Sequence, residues 1–232
     1  MVKMDLSDQI YKRKSCRKYL DDEIDMSAIR EFMDNVKPLD SKINYSYEIL
    51  KKDELNIRTR WKAPYYLALY SQKKENYGVN IGFVFQQLSL FLQSLDIGSC
   101  WVGMASLKRN NPEFVITIAF GKSNDLTRDI SQFKRKGLSE ISDSEDERLI
   151  PAQLAPSAVN SQPWYFKHTD DGFDVYKVRH NIVKRKILGK WNDVDIGIAL
   201  SHLYVSNPET FEFEVKNKKD LKGYEYIGSL KI

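Results

Sequence analysis

Two short stretches concentrate the polar chemistry of this 232-residue chain. In "KRKSCRKYL", residues 12 to 20, Arg13, Lys14, Ser15 and Arg17 put three cations and a hydroxyl within five positions. On an extended or turning segment these groups can converge on a phosphate through charge-assisted hydrogen bonds. Read alone, a basic N-terminal run is more often a solvated face. The second stretch, "APSAVNSQPWYF", residues 155 to 166, sets Pro156, Ser157, Asn160 and Gln162 beside a Pro-Trp pair. Small residues and amides of this kind line a site. None of them is an acid, a base, a thiol or a metal ligand, so any reaction there belongs to a bound group. A further basic segment, "FKRKGLSEI" (133 to 141), contributes Arg135.

The elements that must position these residues recur along the chain. Aligning Asn80 with Asp195 superposes Val79 on Val194, Ile81 on Ile196, Gly82 on Gly197 and Leu88 on Leu203. Asn or Asp is a good N-cap, so each is expected to start a helix. Ile81, Val84, Phe85, Leu88, Phe91, Leu92 and Leu95 follow the spacing of one buried face that ends before Gly98, and Ile196, Ala199, Leu200 and Leu203 repeat it. A Pro followed by an aromatic strand precedes each helix, at 63 to 71 and 162 to 169, and another strand follows, at 114 to 121 and 211 to 217. The Asp-Gly of "TDDGF" reads as the turn joining strands 164 to 169 and 173 to 178. Asp25 is expected to cap a helix carrying Met26, Ile29, Phe32 and Met33 on one face. "SEDE" (144 to 147) reads as a capping box opening a helix over 145 to 154, with Pro151 placed to kink it. The expected architecture is α+β: half-repeats of about 1 to 142 and 143 to 232, each helix, strand, helix, strand, sharing an interface within one domain.

Composition narrows the class. At 42% apolar and 12% aromatic the chain can bury a core, and a net charge of +4 is too small to announce a nucleic-acid binder. The Lys184 to Lys186 triplet is expected to face solvent. Cys16 and Cys100 make no disulfide framework and read as inert buried thiols in a reduced, cytoplasmic protein. No apolar stretch of signal-peptide length opens the chain, and His168, His180 and His202 are too scattered to suggest a metal site.

Taken together, "RKSCRKYL", "DIGSCWVGM" (96 to 104), "FKRKGLSEI" and "APSAVNSQPWYF" resemble the nitroreductase-like family of flavoproteins. That resemblance implies non-covalent FMN in a site built from two subunits of a homodimer. Here the R-x-S-x-R and A-P-S-N-Q-P-W motifs are about 140 residues apart, and each half lacks what the other keeps. The chain is thus similar to a single-chain, internally duplicated branch, a pseudo-dimer with one FMN site for which a monomer suffices. The resemblance places Arg13, Lys14, Ser15 and Arg135 on the phosphate and Arg17 near N1 and O2 of the flavin. Pro156, Ser157 and Asn160 would line the ring edge and ribityl, with Gln162 nearby, while Val102 and Gly103 would offer backbone N–H groups toward N5 and O4. Trp101 and Trp164 are either core or flavin contacts. The implied activity is ping-pong transfer from NAD(P)H to a nitroaromatic, quinone or free flavin; the alternative is a non-catalytic FMN-binding protein for storage or sensing. Gly137 stands where the family usually has Pro, so the turn after Arg135 is expected to differ.

Overall fold

The computed structural model describes residues 5–179 and 182–232, with side chains throughout except at 182–188 and 190. The side chains of the Lys184 to Lys186 triplet and all of His180 therefore lie outside the described residues.

Two long helices form the middle of the molecule, α3 (Tyr77–Ser94) and α6 (Ile182–Ser206). Neither starts where its aligned polar residue predicts. Helix α3 begins at Tyr77 after Asn76, which holds φ 58°, and Asn80 is buried within it. Its Oδ1 accepts hydrogen bonds from the N–H groups of Leu39 and Asp40, both at 3.0 Å. Asp195 likewise lies deep inside α6, accepting from the Ala158 N–H at 3.0 Å. These side chains satisfy a neighbouring loop rather than their own helix end, a job open to any short polar side chain facing a loop with free N–H groups.

The aligned glycines explain how the helices meet. A Cβ on Gly82 would stand 2.0 Å from the Val194 carbonyl oxygen, and a Cβ on Gly197 would stand 2.0 Å from that of Val79. The backbones therefore touch reciprocally at two points where no side chain fits. Helix α3 also buries more than the single face its spacing predicts, because Phe83 and Leu90 are enclosed along with Ile81, Val84, Phe85, Leu88 and Leu92. Each such side chain contributes roughly 1.5–3 kcal/mol on leaving water. The helix stops at Ser94, and Gly98 already belongs to a strand.

That strand is β4 (Ile97–Val102), the edge of an antiparallel sheet with β1 (Tyr45–Leu50), β3 (Tyr65–Ser71) and β6 (Phe114–Lys122), in the order β1-β3-β6-β4. The second sheet holds β7 (Trp164–Thr169), β8 (Gly172–Val178), β9 (Glu212–Glu214) and β10 (Tyr224–Lys231), in the order β7-β8-β10-β9. Counted within each sheet, both orders run first, second, fourth, third. The strand correspondences drawn from sequence are therefore one place out. Residues 65–71 match 172–178 rather than 164–169, and 114–122 match 224–231 rather than the three-residue β9. The hairpin turn is Asp170-Asp171, since Thr169 pairs with Gly172. Gly172 is needed for another reason: at φ 146° its Cβ would lie 2.3 Å from the Leu230 carbonyl oxygen.

One face of the first sheet packs on α3 through Leu67, Leu69, Ile116, Ile118 and Phe120, in the same core as Trp164, Phe166, Phe173 and Val175 of the second. The other face carries a smaller cluster in which Tyr66, Ala68 and Ala119 meet β2 (Leu55–Ile57) and β5 (Ala105–Leu107), a two-stranded ribbon. Helix α2 (Ser27–Asn35) buries Ile29 and Met33 as expected, with Asp25 accepting from the Ser27 N–H at 2.9 Å. The capping-box reading of 144 to 147 does not hold. Asp146 caps a 3-10 turn, Glu147–Leu149, which leads into a short helix, Ile150–Gln153. Pro151 falls in the first turn of that helix, where a missing N–H costs nothing, and makes no kink. Among the described residues no helix is long and apolar enough to cross a membrane.

Candidate functional site

Helix α1 (Ser7–Lys12) ends as Arg13 turns extended, at φ −58° and ψ 144°. Residues 13 to 16 then run along the open edge of β4. Ser15 bridges to Ser99, the Cys16 N–H donates to the Ser99 carbonyl at 2.9 Å, and Arg13 bridges on its other side to Thr127. The basic run is thus a strand-like strip rather than a solvated tail, and Arg13 is only 4% exposed.

Its guanidinium is incompletely matched. Nη2 donates to Ser15 Oγ at 3.0 Å, while Nη1 is buried with no acceptor. Burial, reinforced by the charges of Arg128, Arg135 and Arg17, pulls the Arg13 pKa down to about 9. Arg135 shows the same condition. Nη1 donates to Asn160 Oδ1 at 2.7 Å and Nη2 to the Leu154 carbonyl at 3.3 Å, yet Nε is buried without a partner. Burial, then the charge of Arg128, lowers its pKa to about 10. Both unmatched donors sit on cations that repel one another.

The 155 to 162 segment is built to hold Arg135. Asn160 Nδ2 donates back to the Lys134 carbonyl at 2.8 Å, and Gln162 Oε1 accepts from the Lys136 N–H at 2.9 Å. The Gln162 N–H donates to Ser157 Oγ at 2.9 Å. Val159, Asn160 and Gln162 all adopt positive φ, 47°, 58° and 47°. For β-branched Val159 this is a strained geometry, sustained by the bonds on either side and by the Asp195 tether at Ala158. Pro156 is buried beneath it. Gly137 sits at φ −66°, a value Pro also takes, so the turn keeps a Pro-like shape; its N–H donates to Glu140 Oε2 at 2.8 Å.

The remaining predicted residues divide. Arg17 is exposed, and its charge is felt at both Arg13 and Cys100. Val102 closes β4 opposite Thr117, and Gly103 follows with the Trp191 ring of α6 where its Cβ would be, 2.7 Å from Cε2. Lys14 instead turns to an ion pair with Asp125. Trp164 is core at 1% exposure, while Trp101 is half-buried. Both cysteines are buried and free, and burial pushes the Cys100 thiol up despite the nearby arginines, so it is no activated nucleophile.

Two features escaped the sequence reading. Arg128, a single basic residue in "NDLTRDI", donates from Nε to the Arg13 carbonyl at 3.1 Å, and its guanidinium lies 3.7 Å from the Phe133 ring centroid. Nothing in its local sequence signals that role. The other is a buried polar chain: Trp101 Nε1 donates to Gln86 Oε1 at 3.0 Å, Gln86 Nε2 meets His202 Nε2 at 2.9 Å, and His202 Nδ1 meets the Pro151 carbonyl at 2.9 Å. Since indole only donates and carbonyl only accepts, the chain has one consistent polarity, with His202 neutral and protonated on Nδ1. Burial, then the charge of Arg13, drops the His202 pKa to about 3. This chain ties β4 to the helix that leads into residues 155 to 162.

Cavity volume and chemistry do not coincide. A groove of about 800 Å³ lies elsewhere, among Leu6, Phe32, Val36, Phe91, Leu95 and Tyr204. The arginine cluster is the better candidate because its buried donors are unmatched, whereas the groove is lined mainly by apolar side chains.

Two antiparallel sheets packed with a helix pair describe an α+β protein of nitroreductase-like fold. The family model described as "Putative TM nitroreductase" matches residues 5–207, and the chain belongs to that family. Among solved structures, a protein from Thermotoga maritima described as a putative nitroreductase is 23% identical and covers 93% of this chain and 91% of its own, with a TM-score of 0.63; the likeness is one of fold. A nitroreductase family protein from Clostridium novyi is 16% identical over 53% of this chain and 88% of its own, with a TM-score of 0.44. No curated protein matches.

Proposed function

We propose that the chain is an FMN-dependent NAD(P)H oxidoreductase that passes electrons, in ping-pong fashion, to a nitroaromatic, a quinone or a similar acceptor. The observation that carries this reading is the pair of buried guanidinium N–H groups without acceptors, Arg13 Nη1 and Arg135 Nε. A dianionic phosphate has the chemistry to match them: it would supply acceptors and offset two depressed cations. When bound, FMN would supply the hydride and electron chemistry that no side chain here offers. The protein's share is positional. Arg13, Ser15 and Arg135 hold the phosphate, with Arg128 adding charge. Arg17 sets a positive field beside the ring, and Asn160, Ser157 and Gln162 fix the loop against ring and ribityl. The backbone at Val102 and Gly103 borders the reacting edge. Lys14 is weaker in this role, since Asp125 already holds it.

The reciprocal contacts of Gly82 and Gly197, the matching strand orders and the paired tethers from Asn80 and Asp195 support two related halves in one domain, with a monomer sufficient for the site. The loop at 38 to 42, held by Asn80 as Ala158 is held by Asp195, has the sequence Pro-Leu-Asp-Ser-Lys, without the Asn and Gln of the later loop. One flavin per chain is therefore expected. The test is the visible spectrum of protein loaded with FMN and freed of excess, followed by anaerobic addition of NADH or NADPH. Bleaching of one bound flavin per chain supports the proposal. A bound flavin that dithionite reduces and neither nucleotide does would make this a binding protein, and no flavin on folded protein would remove the cofactor assignment.

A further inference from the structure

The site has a second basic border that the flavin does not use. Between Glu54 and Glu75 the chain carries no carboxylate but includes "RTRWK", with Arg58, Arg60 and Lys62; between Asp8 and Asp21 it again carries none. The fold lays these two acid-free runs side by side. The Trp61 ring packs 6.0 Å from that of Tyr19, whose hydroxyl donates to the Cys16 carbonyl at 2.7 Å. Thr59 Oγ1 donates to the Trp61 carbonyl at 2.6 Å and shapes the turn. At its other end the run leaves β2, where Ile57 pairs with Ala105. Ala105 is two residues beyond Gly103, and Met104 between them is 67% exposed. Because the pairing is antiparallel, the chain leaving β2 at Arg58 heads the same way as the chain that precedes Ala105 through Met104 and Gly103.

Arg58, Arg60 and Lys62 are exposed, and among the described residues none of them, nor Arg17, forms an ion pair. Next to the more N-terminal of the two runs, the Asp125 carboxylate is held by Lys14 and also lies near Lys18. The border is therefore an arc of free cations around a half-buried indole, starting beside the residues assigned to the flavin ring and leading away from them. A ligand suited to it is extended, carries a flat ring to lie on Trp61 and ends in more than one phosphate.

We infer that this arc receives the adenosine end of the hydride donor and that Arg58, Arg60 and Lys62 select a 2′-phosphorylated dinucleotide, NADPH over NADH. The inference rests on the oxidoreductase reading, because it assigns the substrate of that site. The added phosphate is a dianion among three cations, and even at surface dielectric such contacts give a preference of about tenfold or more.

The experiment has two arms. On FMN-loaded protein, anaerobic stopped-flow reduction by NADPH and by NADH is compared between wild type and the triple variant Arg58→Gln, Arg60→Gln, Lys62→Gln. Wild type is expected to favour NADPH by about tenfold or more in kcat/KM. The variant should raise KM for NADPH by about tenfold and the KM for NADH by much less, so that the preference between the two donors is lost. Calorimetric titration with 2′,5′-ADP and 5′-AMP reads the same arc without turnover, and only the former should lose affinity in the variant. Arg60→Glu, a single exposed change, serves if the triple variant melts early. Equal use of the two donors by wild type, or a preference that survives the substitutions, overturns the inference. A 2′,5′-ADP preference that disappears in the variant, in a protein that neither donor reduces, supports the arc and sinks the oxidoreductase reading alone.

Discussion

Arg13→Met separates a binding arginine from a structural one, because the two roles predict opposite signs. In the flavin-free protein Arg13 is a liability. The fall of its pKa from the ordinary guanidinium range to about 9 corresponds, at 1.36 kcal/mol per pH unit, to several kcal/mol of unfavourable burial. Against this stands the hydrogen bond to Ser15, worth about 1 kcal/mol. Methionine fills similar space without charge, so flavin-free Arg13→Met should melt at or above the wild-type temperature near neutral pH. The sign follows from linkage: a cation with a depressed folded pKa destabilises fully below about pH 9, and the penalty fades as pH climbs above that toward the ordinary guanidinium range. With FMN the order reverses. At a hundredfold excess over Kd, binding stabilises wild type by about 2.7 kcal/mol, a rise of about 5–11 °C for a chain of this size. Losing one charge-assisted contact of about 1.5–3 kcal/mol removes most of that rise. Scanning calorimetry with FMN, and with riboflavin as the phosphate-free control, reads both signs. If flavin-free Arg13→Met melts several degrees early and keeps the full FMN shift, Arg13 is structural and the phosphate assignment fails.

Other outcomes follow from the interior. Burial, reinforced by the charge of Asp193, raises the Asp195 carboxyl pKa, so its contribution to stability declines as pH rises above 3.8. Asp195→Asn keeps an acceptor for the Ala158 N–H and should flatten that decline, whereas Asp195→Ala should lose about 1–3 kcal/mol at every pH; urea melts from pH 5 to 9 distinguish them. Gly82→Ala and Gly197→Ala each press a methyl onto a helix carbonyl and should cost about 3 kcal/mol or more, read as a lower urea midpoint or loss of soluble protein; a midpoint within error of wild type would contradict the close crossing. His202, with its pKa lowered to about 3, adds stability that is present above pH 6.5 and lost as pH falls toward 3. Its ring NMR signals should therefore not titrate between pH 5 and 8, and His202→Gln should lessen the acid-side slope by about 1.4 kcal/mol per pH unit.

The sequence made the site more legible than the scaffold. Arg13, Ser15 and Arg135 stood out by residue type, Asn160 and Gln162 through the motif that resembles a known family, and the structure links Arg135 to Asn160 and Lys136 to Gln162. Arg128 did not stand out: it reaches Arg13 only because Thr127 happens to bridge to it in space. The helices at 77 to 94 and 182 to 206 announced themselves through apolar spacing, but their starts were misplaced because Asn80 and Asp195 look like caps and act on distant loops. Strands β1, β4 and β10 went unseen. Strand β1 does carry a strand signal, with Tyr45, Tyr47 and Ile49 alternating with Ser46 and Glu48, whereas β4 has Gly98 and Ser99 near its start directly behind a helix, and β10 carries an irregularity between Tyr226 and Gly228. Missing them shifted the matching of the two sheets by one strand, while the aligned glycines Gly82 and Gly197 do meet the opposite helix reciprocally.

The seat of Gly82 on Val194 and of Gly197 on Val79 joins helices that belong to one chain. An assembly of separate subunits comes apart on dilution, and whatever it binds leaves with it. Here the strip at residues 13 to 17 and the loop at 155 to 162 remain joined at any protein concentration. If one chain builds the proposed site, its occupancy should answer to ligand concentration alone, unchanged from the micromolar solutions of a calorimeter to a few molecules in a droplet.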